Sequence, residues 1–156
     1  MTVAGGPEVS LREITADTVR EICRLRVAPG QEGFVAPVAE SIAEAHFSPL
    51  AWFRAVYAGD TPVGFVMLAE DVDSREYHLW RLLVDAGHQG KGYGRRTVEL
   101  VCDHVRTRPG GTELLTSWVP GEDGPEGFYL ELGFELTGEV DEDEVVARLA
   151  LSGPSG

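Results

Sequence analysis

Hydrophobic residues in this chain keep two rhythms: short β-rich runs, and stretches in which apolar positions fall three and four apart. Val9–Ile14 reads as a first strand. Thr15 or Asp17 then stands where a cap is needed for a helix with Val19, Ile22 and Cys23 on its apolar face. Pro37 suits the first turn of a second helix, with Val38, Ile42 and Ala45 on one face and Glu40 and Glu44 on the other. Trp52–Tyr57 and Pro62–Glu70 flank Ala58-Gly59-Asp60-Thr61 and predict a hairpin, with Gly64 marking a bulge. Tyr77–Val84 predicts a central strand buried on both faces.

Asp85–Gly94 is a glycine-rich loop. From Arg95 the apolar residues Val98, Val101, Cys102 and Val105 keep a helical period until Pro109-Gly110-Gly111 ends it. Leu114–Val119 predicts a strand, Pro125–Leu132 a short helix, and Gly133–Gly138 and Val145–Leu151 two further strands joined by the acidic run Glu139–Glu144 as a solvated turn. The order β-α-α-β-β-β-α-β-α-β-β predicts a mixed α/β (α+β) domain, a sheet flanked by helices. No linker divides the chain, so residues 1–156 form one domain, with 1–8 and 152–156 expected as frayed tails.

Thirteen basic residues against twenty-six acidic ones give a net charge of -13. That field repels phosphate backbones and anionic membrane surfaces, so neither nucleic acid nor membrane is expected as a partner. It favours a cationic substrate, or serves solubility alone. Cys23 and Cys102 lie on helical stretches, form no CxxC pair and stand apart from His at ligand spacing, so neither a disulfide nor a metal site is expected. Met1–Ser10 has no basic and apolar leader pattern, and no apolar run nears the ~20 residues of a membrane span. The expectation is a cytoplasmic protein.

The candidate chemistry sits at His88-Gln89-Gly90-Lys91-Gly92-Tyr93-Gly94-Arg95, between a strand and a helix N-terminus. The first amides of a helix lack partners within it and carry the positive end of its dipole, and glycines let backbone approach a phosphate. A dinucleotide fingerprint needs its third glycine one residue later, and a P-loop needs Ser or Thr where Gly92 stands. A loop that is only flexible is the remaining alternative to an anion cradle.

The loop resembles the pyrophosphate signature of the GNAT N-acetyltransferases, which reads Gln or Arg, two residues, Gly, one residue, Gly or Ala; Gln89, Gly92 and Gly94 match it. Downstream, Gly127-Phe128-Tyr129-Leu130-Glu131-Leu132-Gly133-Phe134 resembles the family's second signature, FYxxxGF. The resemblance runs from about Val9 to Leu151. The pieces Gln31–Ala36, Pro62–Phe65 and Tyr77–Arg81 look most like bacterial spermine/spermidine acetyltransferases.

The resemblance implies a mostly antiparallel sheet and an acetyl-CoA-dependent transfer of an acetyl group to a primary amine of a small molecule, with a polyamine such as spermidine or spermine as the candidate. The pantetheine arm would bond backbone groups of Leu82 and Val84, with an amide near Leu83 facing the thioester carbonyl. Gln89, Gly90, Lys91, Gly92, Tyr93, Gly94 and Arg95 would hold the pyrophosphate, with Arg96 adding charge. Tyr129 would protonate the leaving thiolate, or else is core packing beside Phe128. Family members carry Asn before the short helix, and here Asp123 is its candidate replacement. His78 or Asp85 is a candidate base, each with an ordinary structural role as the alternative. Glu32, Glu40 and Glu44 are candidates for a rim binding a second ammonium, or a plain solvated face. A homodimer is the family habit. Other amines (an aminoglycoside-type antibiotic, an amino acid, a protein N-terminus) and a non-catalytic acyl-CoA sensor are the alternatives.

Overall fold

In the computed structural model, which describes residues 7–31, 35–122 and 124–151, the chain folds around one seven-stranded sheet. Strands β1 (Val9–Arg12), β2 (Ala51–Ala58), β3 (Thr61–Asp71), β4 (Glu76–Val84), β5 (Glu113–Trp118), β6 (Glu135–Asp141) and β7 (Glu144–Ala150) lie in the order β1-β2-β3-β4-β5-β7-β6. Every neighbouring pair is antiparallel except β4 and β5. Helices α1 (Val19–Cys23) and α2 (Val38–His46) cover one face, where Ile22 and Val38 meet Phe65 and Met67. Helices α3 (Tyr93–Arg106) and α4 (Glu126–Glu131) serve the other, where Val98, Val101 and Val105 meet Val66 and Leu79, and Tyr129 meets Trp118. The expected element order holds throughout.

The alternation of the strands explains the two cores, and one irregularity explains the site. On β4, Tyr77 and Leu79 face α3. Leu79 pairs with Leu68 and Arg81 with Met67, which leaves Trp80 without a cross-strand partner. This bulge turns both Trp80 and Arg81 toward α2 and resets the alternation, so that Leu82 packs on the α3 side and Leu83 on the α1–α2 side. The central strand is therefore only half-buried from Trp80 to Leu82, rather than buried on both faces throughout. The bulge expected at Gly64 lies alongside it, in a register shift between Val56 and Tyr57. Gly64 itself permits close strand approach: a Cβ there would lie 2.4 Å from the Leu83 carbonyl oxygen.

Two local expectations need correction. The start of α1 has no side-chain cap; the Thr15 carbonyl, not its hydroxyl or Asp17, accepts the amides of Thr18 and Val19. The acidic run Glu139–Glu144 is mostly strand, with only Glu142 and Asp143 at the turn and Glu142 at a φ of 57°. A charged edge strand exposed along nearly its whole length reads in sequence like a loop, because neither face alternates with the core. Cys102 is buried on α3 and neither cysteine is bonded to another, and burial pushes the Cys102 thiol up to about 11.

Candidate active site

The site begins where β4 and β5 part. They pair only at His78 with Leu115 and at Leu79 with Thr116; beyond that rung β4 bulges at Trp80, while β5 pairs along its full length with β7. The gap opens into a cavity of about 480 Å³, walled by Leu82 and Val84 of β4, Thr116 and Trp118 of β5, and Phe128 and Tyr129 of α4. Toward β5, the backbone from Trp80 to Val84 meets no strand. A ligand with amide groups can complete the ladder there.

The glycine loop closes one end of this cavity. Asp85 starts it: its Oδ2 accepts the Gly87 amide at 3.3 Å, its Oδ1 accepts the Arg26 amide at 2.9 Å, and one turn of 3-10 helix follows at Ala86–His88. Gln89 Nε2 donates to the Val84 carbonyl at 2.9 Å and to Gln31 Oε1 at 2.8 Å. Gly90 and Gly92 take φ of 78° and 84°, a region costly for residues with a Cβ. Gly92 is the N-cap of α3 and has no side chain to cap it, so the amides of the first turn are left for a ligand. Gly94 lets that turn sit on α4, since a Cβ there would lie 3.2 Å from the Phe128 ring. Two arginines, Arg95 and Arg96, occupy the first turn with no acidic residue, an arrangement the helix dipole disfavours and a bound anion offsets. Arg95 lines the cavity; Arg96 pairs with Glu99 at 3.2 Å; Lys91 is exposed and outside the cavity wall. Uncapped amides, left-handed glycines and a lining arginine fit a pyrophosphate.

Tyr129 stands at the other end. Its ring stacks on Trp118 at 5.3 Å and meets Phe128 and Phe134 edge-on, and its hydroxyl shares a hydrogen bond with Thr116. Burial pushes that hydroxyl up to about 12, against the smaller opposite pull of Thr116, so it carries its proton at neutral pH. The ring belongs to the core while its edge belongs to the cavity wall.

A second cavity, about 770 Å³, adjoins the first and shares Val35, Trp80, Arg81, Ser117 and Trp118 with it. His78 lines it and lies 3.3 Å from Ser117 Oγ, which in turn donates to Glu144 Oε1 at 2.7 Å. Because the serine proton goes to Glu144, Ser117 can only accept from His78, which places the imidazole proton on Nε2 and leaves Nδ1 as the basic nitrogen. Burial lowers the His78 pKa, opposed by the charges of Glu144, Glu76 and Asp141, so the ring is neutral at physiological pH. Glu40, Asp141 and Glu144 stand on the walls of the second cavity, and no ion pair joins any of them among the described residues.

The structure thus gathers Leu82, Val84, Gln89, Gly90, Gly92, Tyr93, Gly94, Arg95 and Tyr129 around one cavity, and His78 and Glu40 around the next. Leu83 turns its side chain into the α1–α2 core. Asp85 lines neither cavity and spends both carboxylate oxygens on backbone amides, an anchoring role. Glu44 is held by Arg81 at 2.6 Å, which takes its charge out of any ammonium rim. Glu32 and Asp123 lie outside the described residues. Sequence reasoning passed over Thr116, Ser117, Arg81 and Gln31. The adjacent hydroxyls of Thr116 and Ser117 inside an otherwise apolar strand were the available signal, since buried hydroxyls need partners.

A parallel pair splayed over a glycine loop, with an uncapped helix start below and a protonated tyrosine above, defines an acyl-CoA-dependent transferase fold. The model of the Acetyltransferase (GNAT) family matches residues 19–134, and the chain belongs to that family, as an acetyl-CoA-dependent N-acetyltransferase. Among its relatives, a spermine/spermidine N(1)-acetyltransferase of Bacillus subtilis (strain 168) is 23% identical over 143 residues, covering 85% of this chain and 91% of that protein. A peptidyl-lysine N-acetyltransferase, YjaB, of Salmonella typhimurium is 32% identical over 91 residues, 58% of this chain and 54% of that one. The fold is shared with the crystal structure of spermidine N-acetyltransferase from Vibrio cholerae in complex with CoA and spermine, at a TM-score of 0.70 and 18% identity over 92% of this chain and 95% of that one.

Proposed function

We propose that this acetyltransferase acts on a primary amine of a polyamine such as spermidine or spermine. The observation that carries the reading is the second cavity: Glu40, Asp141 and Glu144 ring a space that opens onto the cofactor cavity at Ser117, while Arg81, which also lines it, is already paired with Glu44. Carboxylates that no ion pair neutralises among the described residues attract a second ammonium, and the net charge of -13 concentrates cations around the whole molecule. The homodimer that the family resemblance implies and the cytoplasmic setting expected from the sequence belong to the same proposal.

Bound acetyl-CoA supplies an acetyl group activated as a thioester. The first-turn amides of α3 and Arg95 would hold its pyrophosphate, backbone groups on the free edge from Leu82 to Val84 would hold its pantetheine arm, and an amide of that edge would face the thioester carbonyl. An alkyl ammonium with a pKa near ~10 must lose a proton before it attacks. His78 Nδ1 takes it, and the Ser117–Glu144 chain steadies the imidazolium that results. Tyr129 returns a proton to the departing sulfur.

The test is release of CoA thiol from acetyl-CoA in the presence of spermidine, a monoamine of equal length, and a lysine peptide. Spermidine is expected to lead in kcat/KM by about tenfold, the worth of one or two partly screened ion pairs. A lead for the lysine peptide would move the substrate to protein lysine, in line with the YjaB relative. Absence of thiol release with every amine would leave an acyl-CoA sensor.

A further inference from the structure

Arg81 stands where the two cavities meet and lines both of them. The bulge at Trp80 turns its guanidinium toward α2, where Nη1 donates to Glu44 Oε1 at 2.6 Å and to Ser41 Oγ at 2.9 Å. Ser41 is buried and its hydroxyl donates to the Pro37 carbonyl at 3.1 Å, so toward Arg81 it can only accept. Two hydrogen bonds thus hold the guanidinium on α2.

The two members of the ion pair are unequally placed. The Arg81 side chain is only 17% exposed and faces the cavities, whereas the Glu44 side chain is 44% exposed and lines neither. Glu40, one turn earlier on α2, does line the second cavity, together with Asp141 and Glu144. Left alone, the guanidinium would set a positive charge on the same wall as those carboxylates. It would repel a second ammonium and offer its fork of donors to a carboxylate instead. Paired at 2.6 Å, the charges of Arg81 and Glu44 largely cancel for a ligand several ångströms away.

We propose that Glu44 determines which amines the site accepts. By neutralising Arg81 it keeps the second cavity selective for a cation, and without it the same cavity would take an amine whose far end carries a carboxylate. The proposal rests on the reading of the second cavity as the amine site. Glu44 acts through Arg81 and is a positioning residue. Selectivity is a difference between two affinities, so loss of the mask acts on cationic and anionic far ends with opposite sign.

Calorimetric titration in the presence of CoA tests this without requiring turnover. The ligands are spermidine, nonylamine and ω-aminononanoate, which are matched in length and differ in the charge at the far end. Glu44→Gln keeps an acceptor oxygen for Arg81 and removes only the charge, and the Ser41 bond remains to hold the guanidinium in place. It is expected to weaken spermidine by about three- to tenfold relative to nonylamine and to strengthen ω-aminononanoate by a similar factor, while kcat for any amine turned over changes by less than about threefold. Adding Arg81→Gln removes the guanidinium and should return both ratios toward wild type. Unchanged ratios in Glu44→Gln, an equal loss for all three ligands, or a shift that Arg81→Gln leaves in place would each overturn the mask, as would a wild type that already prefers ω-aminononanoate. A wild type that binds spermidine no better than nonylamine would strike the polyamine reading instead, and the ω-aminononanoate arm would still decide the mask. Absence of binding by every ligand, in the wild type and both variants, would overturn both.

Discussion

Thr116 and Ser117 are neighbours on β5 whose side chains take opposite faces of the sheet: Thr116 holds the hydroxyl of Tyr129, and Ser117 holds the imidazole of His78. The pleat of one strand thus divides the proposed proton donor from the proposed proton acceptor. The parted β4 and β5 leave a slot between them where a thioester can meet both. The Thr116 hydroxyl also donates to the Leu79 carbonyl at 3.3 Å, on the last rung before the strands separate, so the same residue marks where the sheet ends and the site begins.

Gly92 combines a left-handed φ of 84° with the N-cap position of α3. Gly92→Val is expected to lower stability by about 1–2 kcal/mol through backbone strain and to weaken CoA binding at least about tenfold, the crowding of a phosphate cradle being added to the strain. Calorimetric titration of folded variant with CoA checks the second effect. Unchanged affinity would remove the loop from the phosphate site.

His78 makes two linked pH effects. Its folded pKa lies below 6.5, so as pH falls through that value the unfolded chain takes up a proton that the native state refuses. Its contribution to stability is full above 6.5 and shrinks with acid until the folded pKa is passed. His78→Gln should flatten the acid limb of a denaturant-derived stability profile measured between neutral pH and about pH 5. It should also lower kcat with spermidine by about 100-fold at neutral pH, the usual worth of a positioned base. A variant with wild-type kcat would assign His78 to packing.

The fold was largely legible because each element carries its own period: the α3 stripe of Val98, Val101 and Val105 has only one helical reading, and Gly59-Asp60 between two β-rich runs has only one turn. The glycine loop was legible because glycine, helix start and signature coincide at Gly92 and Gly94. The parting of β4 from β5 was not, since strand pairing over nearly forty positions, His78 with Leu115, leaves no local trace. The bulge at Trp80 was hidden for the same reason: it is a relation between Leu68, Met67 and Arg81, not a property of Trp80. Glu44 looked free on its helix face because its partner, Arg81, is thirty-seven residues away.

The most direct test of the account is the single oxygen of Tyr129. Tyr129→Phe keeps the ring and its packing on Trp118 and Phe134, so stability should fall by only about 0.5–1.5 kcal/mol for one hydrogen bond, and CoA affinity should barely change. The hydroxyl, raised to about 12, keeps its proton at neutral pH and is the proposed donor to the departing sulfur. Its loss should lower kcat by about 100-fold, and by less if the thiolate leaves readily without help. Measured across pH on folded protein with the best amine, a fall of that order with CoA binding intact is the predicted result; a kcat near wild type at every pH would contradict the proton-donor role and leave Tyr129 to the core.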